Sequence, residues 1–417
     1  MFRPAPAPLA RHRARLMLLG AFALSGLISF SWLARIPGVR DDLHLGAAEL
    51  GVVLLVGSTG ALVTVFSAPL ILGRIGSARM FGAGSVVMTG GFTLMGVGPA
   101  LGSLEAFGLG IVLNGIGGAL LNVPMNVESA RIEQAYGRAV IPHFHAAFSL
   151  GAVGGSVLGA LSAALGVSVV AQFAVVGVLV GALRLVALAG GLVMPGAPRP
   201  TADTAARGAA PARGRSVWTE PRTLLVGVVA FAAAISEGAA NNWLSLAFVD
   251  GFGATEAFGG LVLGVFIGSM AVVRAFGTRA IDRLGRVATL QLSGLFGVAG
   301  LALFALTSRP QVALVGVALW GMGAALCFPL AVAAVSDDPW KAPARVSVMA
   351  SLGSVAAMTA SPMIGLAADA LGGTRHALLV VLVALLASLA VSRFVGPSLS
   401  RVADPRDALD AEPVAVA

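Results

Sequence analysis

A chain of 417 residues that is 57% hydrophobic and only 11% charged, at a mean hydropathy of +0.92, cannot be a water-soluble globule, in which charged residues make up about a quarter of the total. Its net charge of +8 does not indicate nucleic acid, because the basic residues sort by loop rather than into one patch, and a single cysteine, Cys327, excludes a disulfide framework. The length suits about twelve membrane spans of roughly 20 residues with short loops.

Apolar runs fall at 16–36, 48–72, 79–102, 106–127, 142–166 and 168–194, then at 223–249, 257–278, 288–307, 310–335, 346–370 and 376–396. The first follows Arg11, Arg13 and Arg15 in the manner of a signal peptide. It continues into Trp32 and Arg35 without a small-residue cleavage site, so an uncleaved span is expected. Trp32 reads either as an interfacial belt residue or, with its repeat counterpart Trp243, as a gate. The fourth run carries Asn122 and Asn126 one turn apart, with Glu128 nearer its end beside Arg131. Paired amides offer donors and acceptors together, which suits polyols, and they also glue helices. His143 and His145 open the fifth run, His145 being the better cavity candidate. Gly151, Gly155 and Gly159 follow at the four-residue spacing that lets helices approach closely in lipid. In the sixth, Arg184 is expected to snorkel towards water.

A Pro-, Ala-, Gly- and Arg-rich stretch, 195–222, divides the chain and reads as a flexible cytoplasmic linker. Glu237 then lies mid-span in the seventh run, the only acid so deep. A carboxylate there costs about 2.5–3.5 kcal/mol, so it must face a cavity or a partner. Asn241 shares its face, and Asn242 and Trp243 extend the polar patch. The eighth run repeats the glycine ridge as Gly260, Gly264 and Gly268 and carries Arg274, a partner for Glu237 or for an anionic substrate. Pro124 and Pro329 form a pair that would loosen the fourth and tenth helices.

Placing both termini in the cytoplasm puts 21 of the 27 basic residues on that side. Only Arg35, Arg40, Arg309 and Arg375 fall outside, with Arg184 and Arg274 inside spans. This is the positive-inside pattern. All but one of the basic residues are arginine, and with the Ala and Gly usage this points to a multi-pass protein of a bacterial inner membrane.

The second half repeats the first. Gly115-Ile-Gly-Gly-Ala-Leu120 returns as Gly321-Met-Gly-Ala-Ala-Leu326, Ser149-Leu-Gly-Ala-Val153 as Ser351-Leu-Gly-Ser-Val355, and Gly46-Ala-Ala-Glu49 as Gly253-Ala-Thr-Glu256. The expectation is an all-α membrane protein of twelve transmembrane helices in two pseudo-symmetric six-helix bundles, 1–194 and 223–400, with a tail at 401–417. Duplicated membrane bundles of this kind place a substrate site between the repeats, near the bilayer midplane.

The loop Ile281-Asp282-Arg283-Leu284-Gly285-Arg286 resembles the Asp-Arg-x-Gly-Arg latch of the major facilitator superfamily, and its first-half equivalent, Gly73-Arg74-Ile75-Gly76, has lost the acid. Within that superfamily, Phe30–Pro37, Asn122–Glu128, Phe144–Gly151 and Ser236–Trp243 look most like the fucose-permease-like branch and its uncharacterised inner-membrane relatives. The resemblance implies a secondary active transporter for a small polar solute such as a sugar, driven by protons, although the first span lacks the acid that the branch uses. It also implies a latch at Asp282, Arg283, Gly285, Arg286 and Arg74. Candidate substrate or coupling residues are Glu237, Asn241, Asn242, Trp243, Asn122, Asn126, Glu128, His145, Arg274, Trp32 and Arg35. The alternatives are an efflux carrier, disfavoured because the fifth span lacks the proline of the drug-antiporter motif, and a non-transporting sensor on the same fold. No Walker loop, zinc spacing or nucleophile elbow occurs, so no enzyme activity, cofactor or metal is expected; the expected partners are a solute, protons and lipid.

Overall fold

The computed structural model describes residues 8–138, 140–193, 217–338 and 341–396. Most of the expected linker and the whole tail lie outside the described residues. The first crossing is Pro8–Leu33, followed by a short helix, Ile36–Asp42. Ala47–Leu101, at 55 residues, is about twice what a bilayer needs. It is two crossings joined at Gly76 (φ 77°, ψ 167°). Leu104–Tyr136, Ile141–Ala164 and Val169–Ala189 complete the first six.

Pro221–Phe252 opens the second set. Glu256–Leu306 is again double, joined at Gly285 (φ 78°, ψ 167°). Pro310–Ala324 and Cys327–Val335 make one broken crossing, Ala342–Leu371 the eleventh, and Thr374–Ala377 with Val381–Ala390 the twelfth. Nine of the described helices are long and apolar enough to span; separating the two doubles and adding Thr374–Ala390 gives twelve crossings in two six-helix bundles. Gly76 and Gly285 are the same position of the repeated loop. Both hold a left-handed φ that a side chain would strain. The duplication therefore survives down to a single dihedral.

Start signals are local. Ser103, Ser168 and Thr255 cap the fourth, sixth and eighth crossings, each side-chain oxygen accepting a backbone N–H at 3.2–3.3 Å. These caps lie on one face of the bundle, opposite the face where the described chain begins and ends. Arg11, Arg13, Arg15, Arg74, Arg79, Arg131, Arg222, Arg279, Arg283, Arg286, Lys341 and Arg345 lie on the terminal face, the sorting expected from the sequence.

Glycine governs the packing. In the first bundle a Cβ on Gly155 would collide with the Leu27 carbonyl oxygen, and one on Gly159 would come within 2.7 Å of that of Ser31, so the first and fifth crossings interlock backbone to backbone. Between the bundles, the fifth crossing packs on the eighth and the second on the eleventh. Here the eighth-crossing ridge departs from expectation. A Cβ on Gly260 would sit 3.1 Å from Ala160 Cβ, one on Gly264 3.5 Å from Ser156 Cβ, and one on Gly268 has nothing within 4 Å. The seam is tight near the capped face and parts towards the terminal face. Gly51 and Gly365 close the second–eleventh contact at its tight end: a Cβ on the first would come within 2.8 Å of the Ser361 oxygen, and one on the second within 2.5 Å of the Ala47 oxygen.

Candidate functional site

Where the seam parts, charge is exposed at mid-span. Glu237 of the seventh crossing accepts from Arg274 Nη2 of the eighth at 3.3 Å, each side chain about one-third exposed. The arginine is held from its other edge as well, Nε donating to the Ala325 carbonyl at 3.1 Å. That carbonyl is available for a sequence reason. Pro329, four residues on, has no N–H to return to it, and the tenth crossing breaks between Ala324 and Cys327. One proline thus creates the acceptor that aims Arg274 at Glu237. Pro124, its counterpart, leaves Leu104–Tyr136 unbroken.

In the other bundle, His145 is exposed near the start of the fifth crossing, its ring edge-on to Phe22 with centroids 5.8 Å apart. Asn122 and Asn126 stand on the exposed side of the fourth crossing. Asn126 Nδ2 donates to both the carbonyl and the Oδ1 of Asn122 at 2.9 Å. Asn242 donates to Ser361 Oγ at 2.8 Å, and Asn241 Oδ1 is buried without a hydrogen-bond partner. Trp243 is completely buried, and Trp32 is buried too, so neither belongs to a lipid-interface belt. Glu128 is fully buried and paired with Arg131 one turn on.

Arg35 lies at the tight end rather than in the opening. It is 4% exposed and donates from Nε to Glu256 Oε1 at 2.9 Å, and from Nη1 to the Val167 carbonyl and Gln172 Oε1 at 3.0 and 2.8 Å. The Gly38 N–H donates to the same Glu256 oxygen at 3.0 Å, and Arg40 meets Asp250 at 2.7 Å. The bonds to Glu256 and Asp250 clasp the first bundle to the second across the capped face. Glu256 and Asp250 were not among the sequence candidates. Glu256 was visible only as a repeat anchor, and its twin Glu49 does ordinary work, accepting from the Gly46 N–H at 2.9 Å to cap its own helix.

On the terminal face further ion pairs form within the second bundle. Asp337 takes Arg286 Nη1 at 2.6 Å and Arg222 Nη2 at 3.0 Å. Glu220 takes Arg345 at 2.7 Å and Lys341 at 3.3 Å. Asp282, Arg283 and Arg74 are exposed and make no ion pair among the described residues; Arg286 meets Asp337 rather than Asp282. Burial pushes the Asp337 carboxyl up, but the two guanidiniums outweigh it and hold it below its ordinary value. Glu220 is held low the same way, by Arg345, Thr223 and Lys341 against its burial.

Arg184 corrects the sequence reading. It does not snorkel. The residue is completely buried, with Nη2 donating to Ser25 Oγ at 3.0 Å, Nη1 to Met88 Sδ at 3.1 Å, and Nε without a partner. It lines a cavity of about 120 Å³ inside the first bundle, together with Ser25, Ser29 and Asn122. Position along the apolar run gives its depth in the span but not the side of the helix on which it lies.

Comparison with known proteins fits this architecture. The chain is 27% identical over 350 residues to the uncharacterized transporter y4wD of Sinorhizobium fredii, covering 84% of this chain and 89% of that protein. Its fold is similar to that of the nucleoside transporter NupG, with a TM-score of 0.65, 15% identity, and coverage of 93% and 98%. It is also similar to FucP in its outward conformation, with a TM-score of 0.61, 16% identity, and coverage of 93% and 99%. The sequence pattern of the Major Facilitator Superfamily matches residues 16–342, and the chain belongs to that superfamily of membrane transporters.

Proposed function

We propose that the protein moves a small polar solute across a bacterial inner membrane by alternating access, with protons as the driving ion. The observation that carries this is the seam between the bundles. It is clasped at one end by Arg35–Glu256 and Arg40–Asp250, and it parts at the other around Glu237, Arg274, Asn122 and Asn126. By the positive-inside rule the open face is cytoplasmic, so the conformation faces inward. Polar cargo suits the lining, where amides and ions meet at mid-span. NupG carries nucleosides and FucP is a fucose:proton symporter; a polar solute here accords with both.

Glu237 is the proposed coupling group. Protonating it would release Arg274, and an intramembrane acid that exchanges partners is a natural carrier of a proton. Asn122 and Asn126 are proposed to contact the solute, and Asp282, Arg283 and Arg74 to pair when the terminal face closes. The test is uptake into proteoliposomes under an imposed proton gradient. Glu237→Gln should abolish gradient-driven accumulation while solute exchange and membrane insertion persist; full accumulation by that variant removes Glu237 from the mechanism.

A further inference from the structure

We infer that Arg184 receives a carboxylate of the transported solute, making the substrate class a hydroxylated organic acid rather than a neutral sugar; this rests on the transport reading above. A guanidinium has five N–H donors and keeps its charge in proteins. Arg184 directs one donor at a hydroxyl and one at a thioether, a weak acceptor, and its Nε–H has no partner. No carboxylate lies within ion-pair reach of it among the described residues. A fully buried cation in that condition is costly unless an anion reaches it.

The surroundings are shaped for such an anion. The cavity beside Arg184 has Ser25, Ser29 and Asn122 as hydrogen-bonding walls, and Phe22, Met125 and Phe148 as the dry remainder. Its 120 Å³ accommodates a carboxylate and a few adjoining atoms, so the rest of a solute must extend elsewhere. Asn122 supplies the exit. It lines the cavity and also accepts from Asn126 on the exposed side of the same helix, so a solute with its acid on Arg184 would lay its hydroxyls along the amide pair. Charge balance agrees. The mid-span pair Glu237–Arg274 balances itself, and Glu128, nearer the terminal face, is met by Arg131, which leaves the positive charge of Arg184 without a counter-ion among the described residues. A planar monoanion matches both that charge and the guanidinium fork, whereas a phosphate dianion exceeds it.

The test uses matched solutes on the purified full-length protein: gluconate against sorbitol, galacturonate against galactose, and lactate against propane-1,2-diol, with inorganic phosphate and glycerol phosphate as further arms. Thermal melting of the wild type should rise with at least one carboxylate and not with its neutral partner. That shift should vanish in Arg184→Gln and survive in part in Arg184→Lys. Ser29→Asp, which plants a carboxylate on the cavity wall and leaves Arg184 in place, should also abolish it, and this variant decides the matter if Arg184→Gln does not fold. The inference is overturned if no carboxylate outperforms its neutral partner, if only the phosphates act, or if Arg184→Gln and Ser29→Asp respond like the wild type. Uptake into proteoliposomes separates the two readings. Accumulation of a neutral sugar that Arg184→Gln leaves unchanged sinks the anion site alone. Arg184-dependent binding of an acid without any flux sinks the transport reading alone.

Discussion

Asp337 and Glu220 each hold two cations on the terminal face, and both carboxyls sit below their ordinary values of 3.8 and 4.5. The sign follows from linkage: a depressed folded-state pKa contributes stability that is fully present above the unfolded value and lost as pH falls through the folded one. The protein in detergent should therefore keep its melting midpoint from neutrality to about pH 5 and lose it progressively below about pH 4. Asp337→Asn should start lower and fall less steeply, and a parallel acid profile for that variant would refute the assignment. At this scale the sequence is informative about depth and poor about azimuth. Glu237 was legible because mid-span acids are rare. Arg184 was misread because a run of apolar letters does not say which side of a helix faces protein. The Arg35–Glu256 bond joins residues far apart in the chain, and nothing local in either segment announces it.

The tenth crossing shows how an element positions a side chain. Pro329→Ala restores the missing N–H, so the Ala325 carbonyl can rejoin its own helix and release Arg274. Helix propensity favours the alanine by up to about 3 kcal/mol, so the melting midpoint should hold or rise. Transport should nevertheless fall roughly tenfold or more, since a hydrogen bond from a charged donor is worth about 1.5–3 kcal/mol. A variant of unchanged transport would show that the proline is only a packing feature. Element lengths were readable from hydropathy, whereas the repeat aligned the two latch loops without announcing that Gly76 and Gly285 hold their joints. The break at Ala324–Cys327 was only half readable: prolines 124 and 329 look alike in sequence, yet one helix runs through and the other does not. The acid that meets Arg286 was not readable at all, because Asp337 lies outside the latch motif.

Across the whole molecule, the ladder Gly260, Gly264, Gly268 records how the bundles meet, from tight contact to open space. Gly260→Leu should wedge the capped end apart. With Cys327 changed to Ala and Ala34, which is fully buried, changed to Cys as reporter, an impermeant maleimide should label the Gly260→Leu protein and spare the parent. Gly268→Leu should leave the reporter protected, because nothing there needs to move. Equal labelling of all three would mean that the ridge does not set the closure. The pairing of halves followed from the repeat, whereas the end at which they part did not, because the ridge reads identically along its length.

Twin carboxylates have taken unlike jobs in the two copies: Glu49 secures the start of its own helix, and Glu256 reaches over to the other copy. Both carboxylates open helices on the capped face, so the two copies meet there unevenly: one sibling spans the gap while the other tends its own helix. The tie between the halves at that end is a one-sided fastening, to which only the second copy's member of the pair contributes.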